Sequence, residues 1–168
     1  MTGLEPTSSA VVVGASGGVG GALADSLEAS GAYAKVHRFA RSASGPDHLD
    51  LEDEASIAAA AERVRAGPPP TLILVATGVL HSGEEPERTY KVMTAEHLLR
   101  DYRINTVGPA LVMRHFAPLM PRDRRAVFAA LSARVGADGD GRLGGGLIKR
   151  ASVEALNLQL RNLEVEMA

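Results

Sequence analysis

Short apolar runs alternate along this chain with longer stretches whose apolar residues recur at helical spacing. Ala10, Val11, Val12 and Val13 form a β-branched run that ends directly in glycines, the pattern of a strand buried on both faces. Val19, Leu23 and Leu27 then recur every four residues, which predicts a helix closed by Ser30-Gly31, because glycine takes the left-handed cap conformation without steric cost. Residues 34–40 and 48–51 predict a second and a third strand. Residues 52–66 are alanine-rich, with Ile57, Ala61 and Val64 on one stripe, and predict a second helix. It stops at Gly67-Pro68-Pro69-Pro70, since proline cannot continue a helical hydrogen-bond ladder. Residues 71–76 predict a fourth strand, apolar throughout, followed by a polar loop over 81–87.

A long helix is expected over 95–116, with Gly108-Pro109 as a kink. Residues 126–131 predict a fifth strand. A glycine-rich loop at 136–146 leads to a last helix over 149–167, with Leu156, Leu160, Leu163 and Met167 on one side. Strand alternating with helix builds βαβ units, and right-handed crossovers then give a doubly wound parallel sheet with helices on both faces. The expected fold is therefore α/β and Rossmann-type, a single domain over 1–168 with five strands in the order 3-2-1-4-5.

The first strand-to-helix junction reads Gly14-Ala15-Ser16-Gly17-Gly18-Val19-Gly20-Gly21. A pyrophosphate needs a tight turn, an approachable backbone and free N–H groups, and glycines before a helix N-terminus supply all three. Gly14, Ser16, Gly17, Gly18, Val19 and Gly20 are accordingly the expected phosphate cradle. No Lys-Ser or Lys-Thr follows the glycines, so the loop is not a mononucleotide P-loop. The second strand ends in Arg38-Phe39-Ala40-Arg41-Ser42. An acid there would accept hydrogen bonds from an adenosine ribose and favour NAD; arginine suits a 2′-phosphate. Arg41 and Ser42 thus point to NADP, with NAD as the alternative.

Charge and composition narrow the partners. Eighteen basic residues stand against 20 acidic ones, for a net charge of −2, so no global field draws nucleic acid or an anionic membrane. The basic run Arg122-Asp123-Arg124-Arg125 reads as a solvated turn. There are no cysteines, which excludes disulfides and thiolate metal sites and suits a reducing cytoplasm. The five histidines show no metal-ligand spacing. The first ten residues lack the layout of a signal peptide, and no apolar run is long enough for a membrane span. A cytoplasmic protein is expected.

Gly14, Gly18 and Gly20 have the GxxxGxG spacing of the short-chain dehydrogenases/reductases, which the chain resembles over nearly its whole length. Asp50-Leu51 resembles that family's acidic-apolar pair beside the adenine. Val75-Ala76-Thr77-Gly78 resembles its Asn-Ala-Gly segment, and Ile104-Asn105-Thr106-Val107-Gly108-Pro109 its helix-borne Asn motif. Leu131-Ser132-Ala133-Arg134-Val135-Gly136, Leu143-Gly144-Gly145 and Arg150-Ala151-Ser152 look most like the bacterial C-factor-like branch. The resemblance adds Asp50, Leu51, Ala76, Thr77 and Gly78 to the cofactor site and implies hydride transfer between a nicotinamide and a carbonyl or alcohol. It also implies a homo-oligomer paired through the last two long helices.

The same resemblance exposes departures. The family's chemistry uses a Tyr, a Lys four residues later, a Ser and an Asn. Lys149 stands at the tyrosine position and Val153 at the lysine position, and none of Tyr33, Tyr90 and Tyr102 has a lysine four residues on. Ala133 occupies the serine position, with Ser132 beside it. Only Asn105 matches, which leaves Ser132 and Lys149 as substitute catalytic candidates. The chain is also expected to be C-terminally short for the family. Two readings follow: an NADP-dependent carbonyl/alcohol oxidoreductase relative with little or no activity, or a non-catalytic dinucleotide-binding or scaffold module acting through its helical face.

Overall fold

The computed structural model describes residues 7–78, 89–133 and 146–167. A parallel sheet carries four strands, β1 (Ser9–Val13), β2 (Lys35–Phe39), β3 (Pro70–Val75) and β4 (Val127–Ala130), in the order β2-β1-β3-β4. The expected third strand, at 48–51, is reduced to one parallel bridge between Ala40 and His48 beside β2. Its backbone turns away into Asp50–Asp53 contacts: Ser56 Oγ donates to the carbonyls of Asp50 and Asp53 and accepts from the Asp50 N–H. The expected order thus holds for the four strands, and the fifth is a single contact at the β2 edge. The expected loops at 81–87 and 136–145 lie outside the described residues.

Helix α1 (Gly18–Ser30) ends at Gly31, whose φ of 62° lets its N–H reach the Glu28 carbonyl. The apolar stripe expected on it is displaced. Val19 is exposed, Leu23 and Leu27 are half-buried, and the buried positions are Gly20 and Ala24. Helix α1 lies so close to the sheet that small residues, not leucines, make the contact. Helix α2 (Glu54–Arg65) starts at Asp53, which accepts a hydrogen bond from the Ala55 N–H, a cap that satisfies one of the orphan donors of the first turn.

Helices α3 (Ala95–Tyr102) and α4 (Gly108–Phe116) are joined by a π-helical turn, Arg103–Val107. The interruption expected at Gly108-Pro109 is this π turn, which runs directly into α4. The Pro109 ring conflicts with the carbonyl four residues back, which belongs to Asn105 inside the widened turn, where the Gly108 N–H bonds instead to the Arg103 carbonyl. The last helix, α5 (Leu147–Met167), packs on α3, the π turn and α4.

Register places alternate residues on opposite faces of the sheet. Val11, Val13, His37, Phe39, Ile73 and Val75 share the face covered by α2 and α4. Phe39 meets Phe116 edge-on with ring centroids 6.1 Å apart, and His37 stacks on Phe39 at 6.0 Å. Ala10, Val12 and Arg38 share the other face, under α1.

Candidate cofactor site

The loop after β1 is built by close backbone approach. The N–H groups of Gly14 and Ala15 both donate to the Phe39 carbonyl at the end of β2, at 2.8 and 3.0 Å. Gly14 has φ +91°, and a Cβ there would lie 2.7 Å from the Ala76 carbonyl oxygen and 2.8 Å from Thr77 Cγ2. Only glycine fits. A Cβ on Gly20 would collide with the Gly14 carbonyl, so Gly20 lets α1 rest directly on the turn. Gly17 is the residue preceding α1, and a Cβ on Gly18 would meet nothing within 4 Å. Ser16, Gly17, Gly18 and Val19 are exposed. No acidic side chain occupies the first turn of α1, so its orphan N–H groups and positive dipole end face outward unneutralised.

A cavity of 310 Å³ opens beside this loop. Gly14, Ser16 and Gly17 form one wall. Arg41, Ser42, Asp50 and Leu51 form a second, and Ala76, Thr77 and Gly78 a third. Ten of the thirteen expected cofactor residues therefore meet in one space. Gly18, Val19 and Gly20 do not line it: Gly18 and Val19 sit on the outer surface of the first helical turn, and Gly20 is buried behind the loop.

The two arginines at the end of β2 separate. Arg38 lies on the α1 side, bonded to Asp25 at 2.7 Å and Glu28 at 3.1 Å; the Asp25 hydrogen bond raises its already high pKa. Arg41 is exposed, has no carboxylate partner among the described residues, and lines the cavity. His48 Nδ1 lies 3.0 Å from the Arg41 carbonyl and 3.2 Å from that of Ala43, which pins the backbone carrying Arg41. Thr77 Oγ1 is buried without a hydrogen-bond partner at the cavity wall. The orphaned Thr77 hydroxyl fits a polar ligand seated here.

Leu51 is buried and packs so closely on Gly108 that a Cβ at 108 would stand 2.6 Å from Leu51 Cβ. Ile104 also lines the cavity. Sequence reading missed Ile104, His48 and Ser56 as parts of the site. Their roles depend on partners elsewhere in the chain.

None of the catalytic candidates Asn105, Ser132 and Lys149 lines the cavity beside the glycine loop. Asn105, in the π turn, is buried, and its Nδ2 donates to Ser152 Oγ at 3.3 Å. Thr106 Oγ1 donates to the Ser152 carbonyl at 2.8 Å, and Ser152 Oγ to the Lys149 carbonyl at 2.9 Å. These bonds lock the turn to α5. Ser132 is exposed, with its Oγ 2.9 Å from Asn157 Oδ1. Lys149 is half-buried in the first turn of α5, and Val153 is buried as a packing residue.

No protein-family model matches the chain, and no curated protein matches it in sequence. Solved structures do. A Burkholderia multivorans protein described as a short-chain dehydrogenase/reductase, with NADP bound, superposes with a TM-score of 0.79 at 23% identity, over 96% of this chain and 74% of that one. A Burkholderia multivorans protein described as a short-chain alcohol dehydrogenase gives 0.79 at 23%, over 95% and 78%. A carbonyl reductase from Pseudomonas aeruginosa PAO1 gives 0.74 at 22%, over 95% and 77%. No helix among the described residues is long and apolar enough to cross a membrane. The sheet order, the loop after β1 and these superpositions together give the chain the fold of the short-chain dehydrogenases/reductases.

Proposed function

We propose that this protein is a member of the short-chain dehydrogenase/reductase family, of its bacterial C-factor-like branch, that binds NADP and has little or no oxidoreductase activity. The observation that carries the reading is the meeting of the glycine turn at Gly14, Arg41, which has no carboxylate partner among the described residues, and the orphaned Thr77 hydroxyl around one cavity. An NADP-bound structure with the same fold supports it.

In this reading the N–H groups at the start of α1, with Ser16 and Gly17, hold the pyrophosphate. Arg41 and Ser42 take the 2′-phosphate, Asp50 and Leu51 border the adenine, and Ala76, Thr77 and Gly78 line the path of the ribose. The bound nicotinamide would supply hydride. The chain's own residues offer poor proton handling. Asn105 spends its amide on Ser152, Ser132 faces Asn157, and Val153 carries no proton. One placed acid or base is worth on the order of 10²–10⁴ in rate, so turnover should fall by at least that much relative to a complete site. A titration of the purified chain with NADPH and NADH, followed by fluorescence, tests the reading, with NADPH expected to bind more tightly. Carbonyl-dependent NADPH oxidation at ordinary enzyme rates would refute the low-activity part.

The second reading, a dinucleotide-binding or scaffold module, is favoured by apolar side chains left exposed on the helices. Leu99 is 59% exposed and Val107 46%, while Leu158 and Val165 on α5 are 53% and 78% exposed. We propose that α3–α4 and α5 form a self-association face, which a dimeric mass in light scattering at micromolar concentration would support. The cysteine-free composition fits a cytoplasmic setting.

A further inference from the structure

Beyond Arg41, a second cavity of 730 Å³ adjoins the first and shares Arg41, Glu52 and Ile104 with it. Its far wall is one face of the α3 helix and the π turn, where Glu96, Leu99, Arg100 and Arg103 follow one another at helical spacing. Arg100 and Arg103 reach no carboxylate within ion-pair distance among the described residues. Most other arginines of the described chain do: Arg38, Arg63, Arg65, Arg114, Arg124 and Arg161 each have an acidic partner. Three unpaired guanidinium groups thus border one cavity, and its two carboxylates, Glu52 and Glu96, balance only part of their charge. A planar guanidinium is built for two-pronged contact with phosphate oxygens.

We infer that Arg100 and Arg103 complete, with Arg41, a site for a terminal phosphate on the adenosine ribose, so that α3 determines the preference for a 2′-phosphorylated nucleotide. The inference rests on the dinucleotide reading above and assigns the specificity of that same site. Arg41 approaches from the strand side, Arg100 from α3 and Arg103 from the π turn. The phosphate dianion supplies the negative charge that the cavity lacks. Charge-assisted hydrogen bonds of this kind are the strong ones, while an exposed setting moderates them through solvent and salt.

The test uses nucleotides without a nicotinamide, adenosine 2′,5′-bisphosphate and 5′-ADP, titrated calorimetrically into the wild-type chain and into Arg100→Gln/Arg103→Gln. The wild type is expected to prefer the 2′,5′-bisphosphate, and the double variant to lose roughly 10- to 100-fold of that affinity. Affinity for 5′-ADP should stay the same, which also shows that the variant is folded. Unchanged bisphosphate affinity in the variant would overturn this inference alone. Binding of neither nucleotide by the wild type would overturn the dinucleotide reading and this inference with it.

Discussion

The two faces of the sheet are finished differently. On the face toward α2 and α4, Val11, Phe39, Ile73 and Val75 are all at or below 1% exposed. On the other face, α1 buries Ala10 and Val12 completely, but Leu72 and Leu74 of β3 and Ala129 of β4 are only half-buried, and Val127 is 39% exposed. Among the described residues, no helix covers β3 and β4 there. The proposed nucleotide site lies where β1, β2 and their helices meet. Of the catalytic candidates, Ser132 follows β4, Lys149 lies in the first turn of α5 and Asn105 sits in the π turn. The proposed binding region and the open face thus differ in packing, and each can be tested separately.

The sharpest way to break this comparison is to cut into both faces. Phe116→Ala, in the closed face, should cost about 3–5 kcal/mol, read as a shift of the urea midpoint. Next, Gly14→Ala should cost about 3 kcal/mol or more, because it adds an unfavourable positive φ to a clash with the backbone at Ala76. If calorimetric melting shows Gly14→Ala as stable as the wild type, the loop is not built as described.

A pH effect follows from His37. Burial pushes its pKa down to about 4, with the nearby charges of Lys35 and Arg63 adding to the fall and Asp47 opposing it. Neither ring nitrogen has a hydrogen-bond partner. Because the folded value lies below the ordinary 6.5, the unfolded chain takes up a proton that the native state refuses. This contribution is complete above pH 6.5, falls as the pH drops toward 4, and levels off below that. The loss is at most about 3 kcal/mol, and His37→Leu should flatten this part of the stability curve.

On the open face, Leu74→Ala should cost about 1–2 kcal/mol, less than at a fully buried position, since part of its surface already meets water. A loss as large as that of Phe116→Ala would mean that something covers this face in solution. The smallest effect on stability belongs to Gly18→Asp. The added side chain meets open space and sits at a helix N-terminus, where a carboxylate gains a few tenths of a kcal/mol. Its negative charge stands where the pyrophosphate would bind. Stability should hold while dinucleotide affinity collapses, and retained NADPH affinity would show that the phosphates lie elsewhere.

Most of the fold was legible because its signals are local. Proline and glycine punctuation marked the ends of α1 and α2, and β-branched runs marked β1 and β3. The stripe on α1 was misread because helical periodicity reports which side chains could face a core, not how closely the helix approaches it. The strand at 48–51 failed for a similar reason: Ser56 and Asp53 recruit that backbone into the start of α2. At the site, the type of residue was readable and its duty was not. Gly14, Gly18 and Gly20 look alike in the chain, yet one makes the turn, one is open to solvent and one accommodates a carbonyl.

The sequence by itself determined the alternation of strand and helix, the glycine turn at the first junction, and the lack of a Tyr-x-x-x-Lys pair, because each is written within a few neighbouring residues. Only the tertiary structure decided that Arg38 pairs with α1 while Arg41 lines a cavity, that Asn105 is tied to Ser152, and that Arg100 and Arg103 stand across a cavity from Arg41. Those outcomes depend on which residues meet from distant parts of the chain, and the packing of helices on the sheet sets those meetings.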